Sequence, residues 1–171
     1  RHVRSTAVEE TVAAFEDARR APTDLIDSVW ADFDPPTVEP PDGETVEITR
    51  GNRRTELSHA DRDYRRRVYE AYWDELGGFE HVLTEAFAAK LRAASAEAEV
   101  RGYDSVRDRD FRQRAYPESG LKSALPGEVH DRMVAAVREN LGPYHRALRV
   151  RRERLGVDEL RPWDLEVSIA G

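Results

Sequence analysis

The residues with the clearest potential for metal chemistry in this sequence are its five histidines. A His-Glu-x-x-His helix would place two imidazoles one turn apart to hold a metal ion, with the glutamate activating water. The residues that follow the five histidines are Val3, Ala60, Val82, Asp131 and Arg146, and no second histidine lies four positions on. The sequence therefore carries no zinc-binding motif of this kind.

Two weaker patterns could also support chemistry. His81 and Glu85 lie one helical turn apart, but such a pair supplies two ligands where catalytic zinc needs three and a water. Carboxylate pairs lie in polar stretches, where helix ends or surface positions are the more typical explanation: Glu9-Glu10, Asp108 with Asp110, and Asp158-Glu159. We therefore assign no catalytic, cofactor-binding or metal-binding residue.

The arginine runs raise the question of nucleic-acid binding. Arginines occupy 65–67 and recur at 149, 151, 152 and 154, but acidic residues interleave with both runs and the net charge is −7. Interleaved charges at helical spacing predict solvated helix faces crossed by ion pairs. We expect no nucleic-acid partner.

Composition favours a folded domain outside the membrane. The 171 residues are 39% hydrophobic and 36% charged, yet apolar residues recur at helical spacing, which argues against disorder. No apolar stretch approaches the ~20 residues of a membrane span, and no signal-peptide pattern is present. The lack of cysteine fits a cytoplasmic protein. Only Lys90 and Lys122 are lysines among 27 basic residues, and this excess of arginine and acid suggests a halophilic source.

The spacing of apolar residues predicts an all-α, multi-helix bundle with one small β-hairpin. Val8, Val12 and Phe15 share a helix face that begins near Ser5 or Thr6. Pro22 and Thr23 are predicted to end this helix, and a short helical turn carries Leu25, Ile26, Val29 and Trp30. The hairpin pairs 37–39 with 45–49 around Pro41-Asp42-Gly43.

The remainder reads as helical. Ser58 to Asp61 is predicted as a capping box that opens a helix with Tyr64, Val68 and Tyr72 on one face, broken at Gly77-Gly78. A second long helix runs to Gly102, Ser105 caps the next, Pro126 opens another, and Gly142-Pro143 interrupts it. The tail 162–167 is predicted to be extended. The aromatic set is predicted to be core rather than a ligand groove: Tyr64, Tyr69, Tyr72, Trp73 and Phe79.

In this order and spacing, several segments resemble oligoendopeptidase F, of the thimet-oligopeptidase group of zinc metallopeptidases. The similar stretches are Asp32-Phe33-Asp34-Pro35 with residues 42–49, residues 57–62 continuing to Tyr72, residues 100–105, residues 145–151 with 155–160, and Trp163-Asp164-Leu165. The resemblance covers roughly residues 23–171.

The resemblance implies the N-terminal, non-catalytic part of a cytoplasmic peptidase that cleaves short peptides in a helical channel. Zinc and its ligands would lie beyond this chain, and no family catalytic position matches a residue here. We expect one helical domain over 1–171, with leading helices at 1–33, a linker and hairpin at 34–50, and a bundle at 51–171. An uncovered channel wall would expose an apolar face and favour a homo-oligomer. The alternative is a stand-alone helical protein-interaction module.

Overall fold

A computed structural model describes residues 4–113 and 127–169, which are mainly helical. The elements in chain order are α1 (Thr6–Ala14), α2 (Glu16–Asp32), β1 (Thr37–Val38), β2 (Val46–Glu47), α3 (Arg53–Glu56), α4 (Arg62–Gly77), α5 (Glu80–Arg101), α6 (Val106–Gln113), α7 (Gly127–Glu139), α8 (Leu141–Leu155) and a 3₁₀ helix (Pro162–Asp164). The predicted all-α fold with one hairpin is confirmed. In the ranges that the structure describes, no helix is both long and apolar enough to cross a bilayer.

The chain divides into two compact units. The first unit comprises Arg1–Ser28 and Val82–Asn140, and the second comprises Val29–His81 and Leu141–Gly171. Each unit is therefore built from two separate stretches of sequence.

The second unit has its hydrophobic core where α4 meets the hairpin. Tyr64, Val68 and Tyr72 follow one another at steps of four, so they share one face of α4, and all three are buried. They pack with Val38 from β1 and with Ile48, and Leu57 completes the buried cluster. The predicted core face of α4 is confirmed.

The hairpin is shorter than the sequence pattern indicates. Thr37 pairs with Glu47 and Val38 with Val46 in antiparallel register. The Ile48 amide also donates to the Pro36 carbonyl at 2.7 Å. Because two short strands are marginal on their own, the hairpin depends on packing against α4.

In the first unit, α1 and α5 line an apolar cavity of about 450 Å³. Val8 and Val12 of α1 line this cavity with Phe15, which follows the helix, and with Ala93 and Ala96 of α5. Elsewhere in this unit, Arg107 of α6 pairs with Asp131 of α7 at 2.6 Å.

The predicted helix end at Pro22 is wrong. The chain turns at Phe15, and α2 then runs through Pro22 to Asp32 as one helix. A proline inside a helix removes one amide donor and costs about 3 kcal/mol. Pro22 is itself buried, so packing outweighs this local cost.

Two predicted local structures also differ from those observed. The cap of α4 is Asp61, whose carboxylate accepts from the Tyr64 amide at 2.7 Å, whereas the Ser58 hydroxyl donates to the Thr55 carbonyl. The tail predicted to be extended forms the 3₁₀ helix instead, because the Asp164 side chain accepts from the Arg161 amide.

Other predicted boundaries are close to the observed ones. The break at Gly77-Gly78 separates α4 from α5, and α5 ends before Gly102, which has a φ of 68°. Ser105 accepts from the Asp108 amide and caps α6. The interruption predicted at Gly142-Pro143 falls two or three residues earlier, at Asn140. The helix start predicted at Pro126 lies outside the described residues.

Candidate functional site

The most constrained charged centre in the second unit surrounds Asp164. This residue ends the 3₁₀ helix and is fully buried. Its Oδ1 accepts from Arg62 Nε at 3.0 Å and from Arg65 Nη2 at 3.1 Å. Its Oδ2 accepts from Arg62 Nη2 at 2.8 Å and from the Arg161 amide at 2.9 Å. Every lone-pair direction of the carboxylate is thus directed at a donor.

Arg65 is buried beside this carboxylate, with 2% of its surface exposed. Its Nε donates to the Trp163 carbonyl at 2.9 Å, and its Nη1 donates to the carbonyls of His59 and Ala60, both at 2.8 Å. A buried charge is tolerated only when it is paired and hydrogen-bonded, and Arg65 meets both conditions.

The position of Arg65 corrects the interpretation of the 65–67 run as one solvated face. Arg66 pairs with Asp63 at 2.6 Å and with Glu70 at 2.7 Å, and Arg67 reaches Asp63 at 3.2 Å, as the spacing predicts. Arg65 points instead to the inner side of α4, which carries Tyr64 and Val68. One turn of helix therefore holds both surface and core arginines.

The electrostatics keep the Asp164 carboxylate ionised. Burial by itself would raise its pKa, but hydrogen bonds from Arg62, the Arg161 amide and Arg65 outweigh burial and lower the pKa. Since guanidinium groups also stay charged, this centre holds no group that exchanges protons near neutral pH. The arrangement fixes the 3₁₀ helix to α4.

A second, largely buried charge lies on α5 in the first unit. The Glu97 side chain is 9% exposed and receives three guanidinium groups. Arg101 donates to it at 3.1 Å and Arg109 at 2.8 Å, and Arg19 of α2 also contacts it. Glu97 therefore ties together α2, α5 and α6.

The carboxylate pairs identified in the sequence separate into unrelated roles. Glu9 accepts from the Arg4 amide at 3.0 Å and pairs with Arg101 at 2.8 Å, and these contacts lower its pKa despite partial desolvation. Asp110 pairs with Arg109 at 2.6 Å. Asp158 and Glu159 are exposed near the end of α8. Each pair thus occupies a surface or helix-end position.

His81 and Glu85 are both exposed. Within residues 4–113 and 127–169, no three histidine, aspartate or glutamate side chains come together in a way that could hold a metal ion. None of the residues that the structure describes therefore forms a site that fits zinc.

Most of the predicted aromatic set lies in or against the core. Tyr64 and Tyr72 are buried, and Tyr69 packs against the same cluster. Trp73 departs from the prediction because 42% of its surface is exposed. Sequence reasoning missed Asp164 and Arg65 as buried charges and Glu97 as a largely buried one, although an aspartate between Trp163 and Leu165 was a signal.

The fold is similar to that of two solved structures. It superposes on oligoendopeptidase-F from Enterococcus faecium with a TM-score of 0.86 and 24% identity, covering 99% of this chain and 32% of that one. A second structure, from Chlamydophila abortus, gives a TM-score of 0.84 at 13% identity, with 99% and 27% covered. These likenesses establish the fold.

The chain is also similar in sequence to several curated peptidases. The chain is 27% identical to group B oligopeptidase PepB of Streptococcus agalactiae over 99% of its length, and 23% identical to an oligoendopeptidase F homologue of Lactococcus lactis over 99%. It is 25% identical to oligopeptidase PepF of Bacillus subtilis over 79%. The predicted resemblance to oligoendopeptidase F is confirmed.

The chain corresponds to only part of these proteins. It spans 27% of the length of the Streptococcus and Lactococcus relatives and 19% of the Bacillus one. No family model matches the sequence.

Proposed function

We propose that this chain is the non-catalytic, N-terminal part of a zinc-dependent oligoendopeptidase and forms a wall of its peptide channel. The observation that carries the proposal is the alignment of 99% of the chain with 27% of an oligopeptidase. Short peptides would be the substrates of the whole protein, in the cytoplasm.

The charged centres support a framework role. Asp164 and Glu97 are each surrounded by guanidinium groups, so their charges fix elements in place. A general acid or base needs a pKa near the working pH and a reachable proton, and an enclosed aspartate with a lowered pKa has neither. The charges of Asp164 and Glu97 are therefore suited to holding helices in position.

Exposed apolar side chains on the first unit support the proposed role as a channel wall. Phe87 and Leu91 on α5 are 59% and 48% exposed, and Met133 and Val137 on α7 are each 63% exposed. Water contact with such surfaces is unfavourable by roughly 25 cal/mol per Å². These faces would gain stability when covered by another part of the same protein.

Zinc belongs to the proposal only at the level of the whole protein. When bound there, it would polarise the scissile carbonyl and activate water. No described residues of this chain fit the ion, so we assign them no part in that step.

The test compares the full-length protein with the 171-residue chain on an internally quenched peptide. We expect zinc-dependent cleavage by the full-length protein, loss of cleavage with a chelator and recovery with added zinc. The 171-residue chain should leave the peptide intact. Equal cleavage by both proteins, or cleavage unaffected by chelation, contradicts the proposal.

A second candidate is a stand-alone helical interaction module. The apolar stripe of Met133 and Val137 on α7 favours it, because exposed apolar stripes are typical of protein–protein contacts. Light scattering of the 171-residue chain distinguishes the two candidates in combination with Met133→Glu. The interaction module is favoured if the chain forms a stable dimer that Met133→Glu dissociates and if the full-length protein shows no peptidase activity.

A further inference from the structure

The second unit contains a row of aromatic rings, and an arginine side chain packs against the row at each of two places. The row consists of Trp30, Phe33, Tyr72 and Trp73, and we call it the aromatic platform. Successive ring centroids lie 6.0, 5.2 and 5.6 Å apart. These distances are those of rings in direct contact, so the row is continuous.

Arg53 lies in a corner of this platform. Its guanidinium carbon is 4.4 Å from the Tyr72 ring centroid and 5.3 Å from that of Trp73. The two rings are nearly perpendicular, at 86°, so they contact the guanidinium group from two sides. Arg50 stacks similarly on Trp30, at 4.8 Å.

Neither guanidinium group has a polar partner in the part of the chain that the structure describes. Within residues 4–113 and 127–169, the side chains of Arg50 and Arg53 make no hydrogen bond or ion pair. Arg53 is half-buried, and Arg50 is exposed. This contrasts with the arginines around Asp164 and Glu97, whose donors are directed at carboxylates.

Stacking prepares Arg53 for an anion. The Tyr72 and Trp73 rings hold its guanidinium group in place, and its N–H donors have no partner among the described residues. A planar guanidinium group matches the two oxygens of a carboxylate. Because the side chain is already held, binding would cost less conformational entropy than at a free surface arginine. The exposed part of Trp73 offers an adjoining apolar surface.

We propose that Arg53, held against the aromatic platform, binds the carboxylate of a peptide, with Arg50 as a second cation along the row. The choice of a peptide as the ligand rests on the proposed function, whereas the stacked geometry does not. A nucleic acid is disfavoured because acidic residues interleave with the arginine runs and the net charge is −7, so the chain offers no basic stripe for a row of phosphates. The carboxylate can come from the peptide C-terminus or from an acidic side chain.

The experiment is calorimetric titration of the full-length protein, held in chelator so that cleavage does not interfere. Four short peptides ending in phenylalanine are compared: a free acid, its C-terminal amide, the amide with one internal aspartate, and the amide with asparagine in that position. We expect the two peptides that carry a carboxylate to bind at least about 10-fold more tightly than their neutral counterparts. The comparison also identifies which carboxylate is preferred.

Arg53→Ala should remove this preference, and Arg53→Lys should recover only part of it because an ammonium group cannot stack and pair as a planar fork. Arg50→Ala should weaken carboxylate binding about threefold through loss of charge alone. Arg149→Ala is the matched control, since Arg149 is exposed on α8 of the same unit. Arg50→Ala and Arg53→Lys also test the proposal if Arg53→Ala fails to fold.

A carboxylate preference that survives Arg53→Ala and Arg53→Lys overturns the inference, and so does an equal loss in Arg149→Ala. Tighter binding of a thymidine oligonucleotide, lost in Arg53→Ala, would overturn it in favour of nucleic acid. Arg53-dependent peptide binding without zinc-dependent cleavage would leave the inference standing while the proposed function fails. Zinc-dependent cleavage by a protein whose peptide binding does not depend on Arg53 would support the proposed function and contradict the inference.

Discussion

Arg65 and Asp164 are 99 positions apart in sequence and form a direct ion pair, Nη2 to Oδ1 at 3.1 Å, with 2% and 0% of their side chains exposed. This pair stabilises the second unit, because it joins α4 to the 3₁₀ helix. The tryptophans of the chain, Trp30, Trp73 and Trp163, all belong to this unit. Their fluorescence therefore reports on its unfolding.

Asp164→Asn should destabilise the second unit by about 3–5 kcal/mol, because it leaves the buried Arg65 charge without its counter-ion. The measurement is urea unfolding followed by tryptophan fluorescence. Asp63→Asn serves as the control, since Asp63 is exposed and its ion pairs with Arg66 and Arg67 are worth little. Equal losses in the two variants would contradict the assigned role of Asp164.

Asp164 should also contribute to acid unfolding. Its pKa is lowered in the folded state from an ordinary value of 3.8, so the unfolded chain binds the proton more readily. The stabilisation is complete above pH 3.8 and is lost as the pH falls through the lower folded-state pKa. Asp164→Asn should flatten the acid limb of the stability curve, whereas an unchanged slope would show that the carboxylate is not linked to folding.

Tyr64 should produce a corresponding effect at alkaline pH. Burial raises its pKa from 10.0 to about 12, and its hydroxyl donates to Glu56 at 2.8 Å. Because the folded-state pKa is the higher one, this stability is present below pH 10.0 and is lost as the pH rises towards 12. Ultraviolet titration of tyrosinate should show one group with a high pKa that disappears in Tyr64→Phe and persists in Tyr144→Phe, which alters a 58% exposed ring.

Glu97→Gln should loosen the first unit. The substitution keeps the shape but removes the charge that receives Arg19, Arg101 and Arg109, with an expected cost of about 3 kcal/mol. Hydrogen exchange should show faster exchange in the last turns of α5. Glu99→Gln is the control on the same helix, since Glu99 is exposed, and similar exchange in the two variants would argue against Glu97 as the organising charge.

Gly156 and Gly77 provide a paired test of backbone conformation. Among the described residues, neither has a heavy atom within 4 Å of an added Cβ, but Gly156 has a φ of 63° whereas Gly77 ends α4 with helical geometry. Gly156→Ala should cost about 1–2 kcal/mol through strain. Gly77→Ala should stabilise by about 0.4–1 kcal/mol through the unfolded state. Urea unfolding measures both, and a stabilising Gly156→Ala would contradict the left-handed assignment.

The sequence by itself determined the helical class, the hairpin and the core face of α4. These features depend on local periodicity: Tyr64, Val68 and Tyr72 lie at steps of four, and Val38 and Val46 flank a turn. The break at Gly77-Gly78 and the positive φ of Gly102 follow from the conformational freedom of glycine. Each could be predicted because its cause lies within a few residues.

Only the tertiary structure decided which charges are buried and which helix boundaries hold. Arg65, Arg66 and Arg67 are chemically identical neighbours, and Arg65 alone meets a buried aspartate contributed from about one hundred positions away. Pro22 lies within α2 because packing outweighs a local penalty, and the Asp164 carboxylate is buried because arginines of α4 pair with it. Such outcomes depend on desolvation and pairing between distant segments, for which local spacing carries no signal.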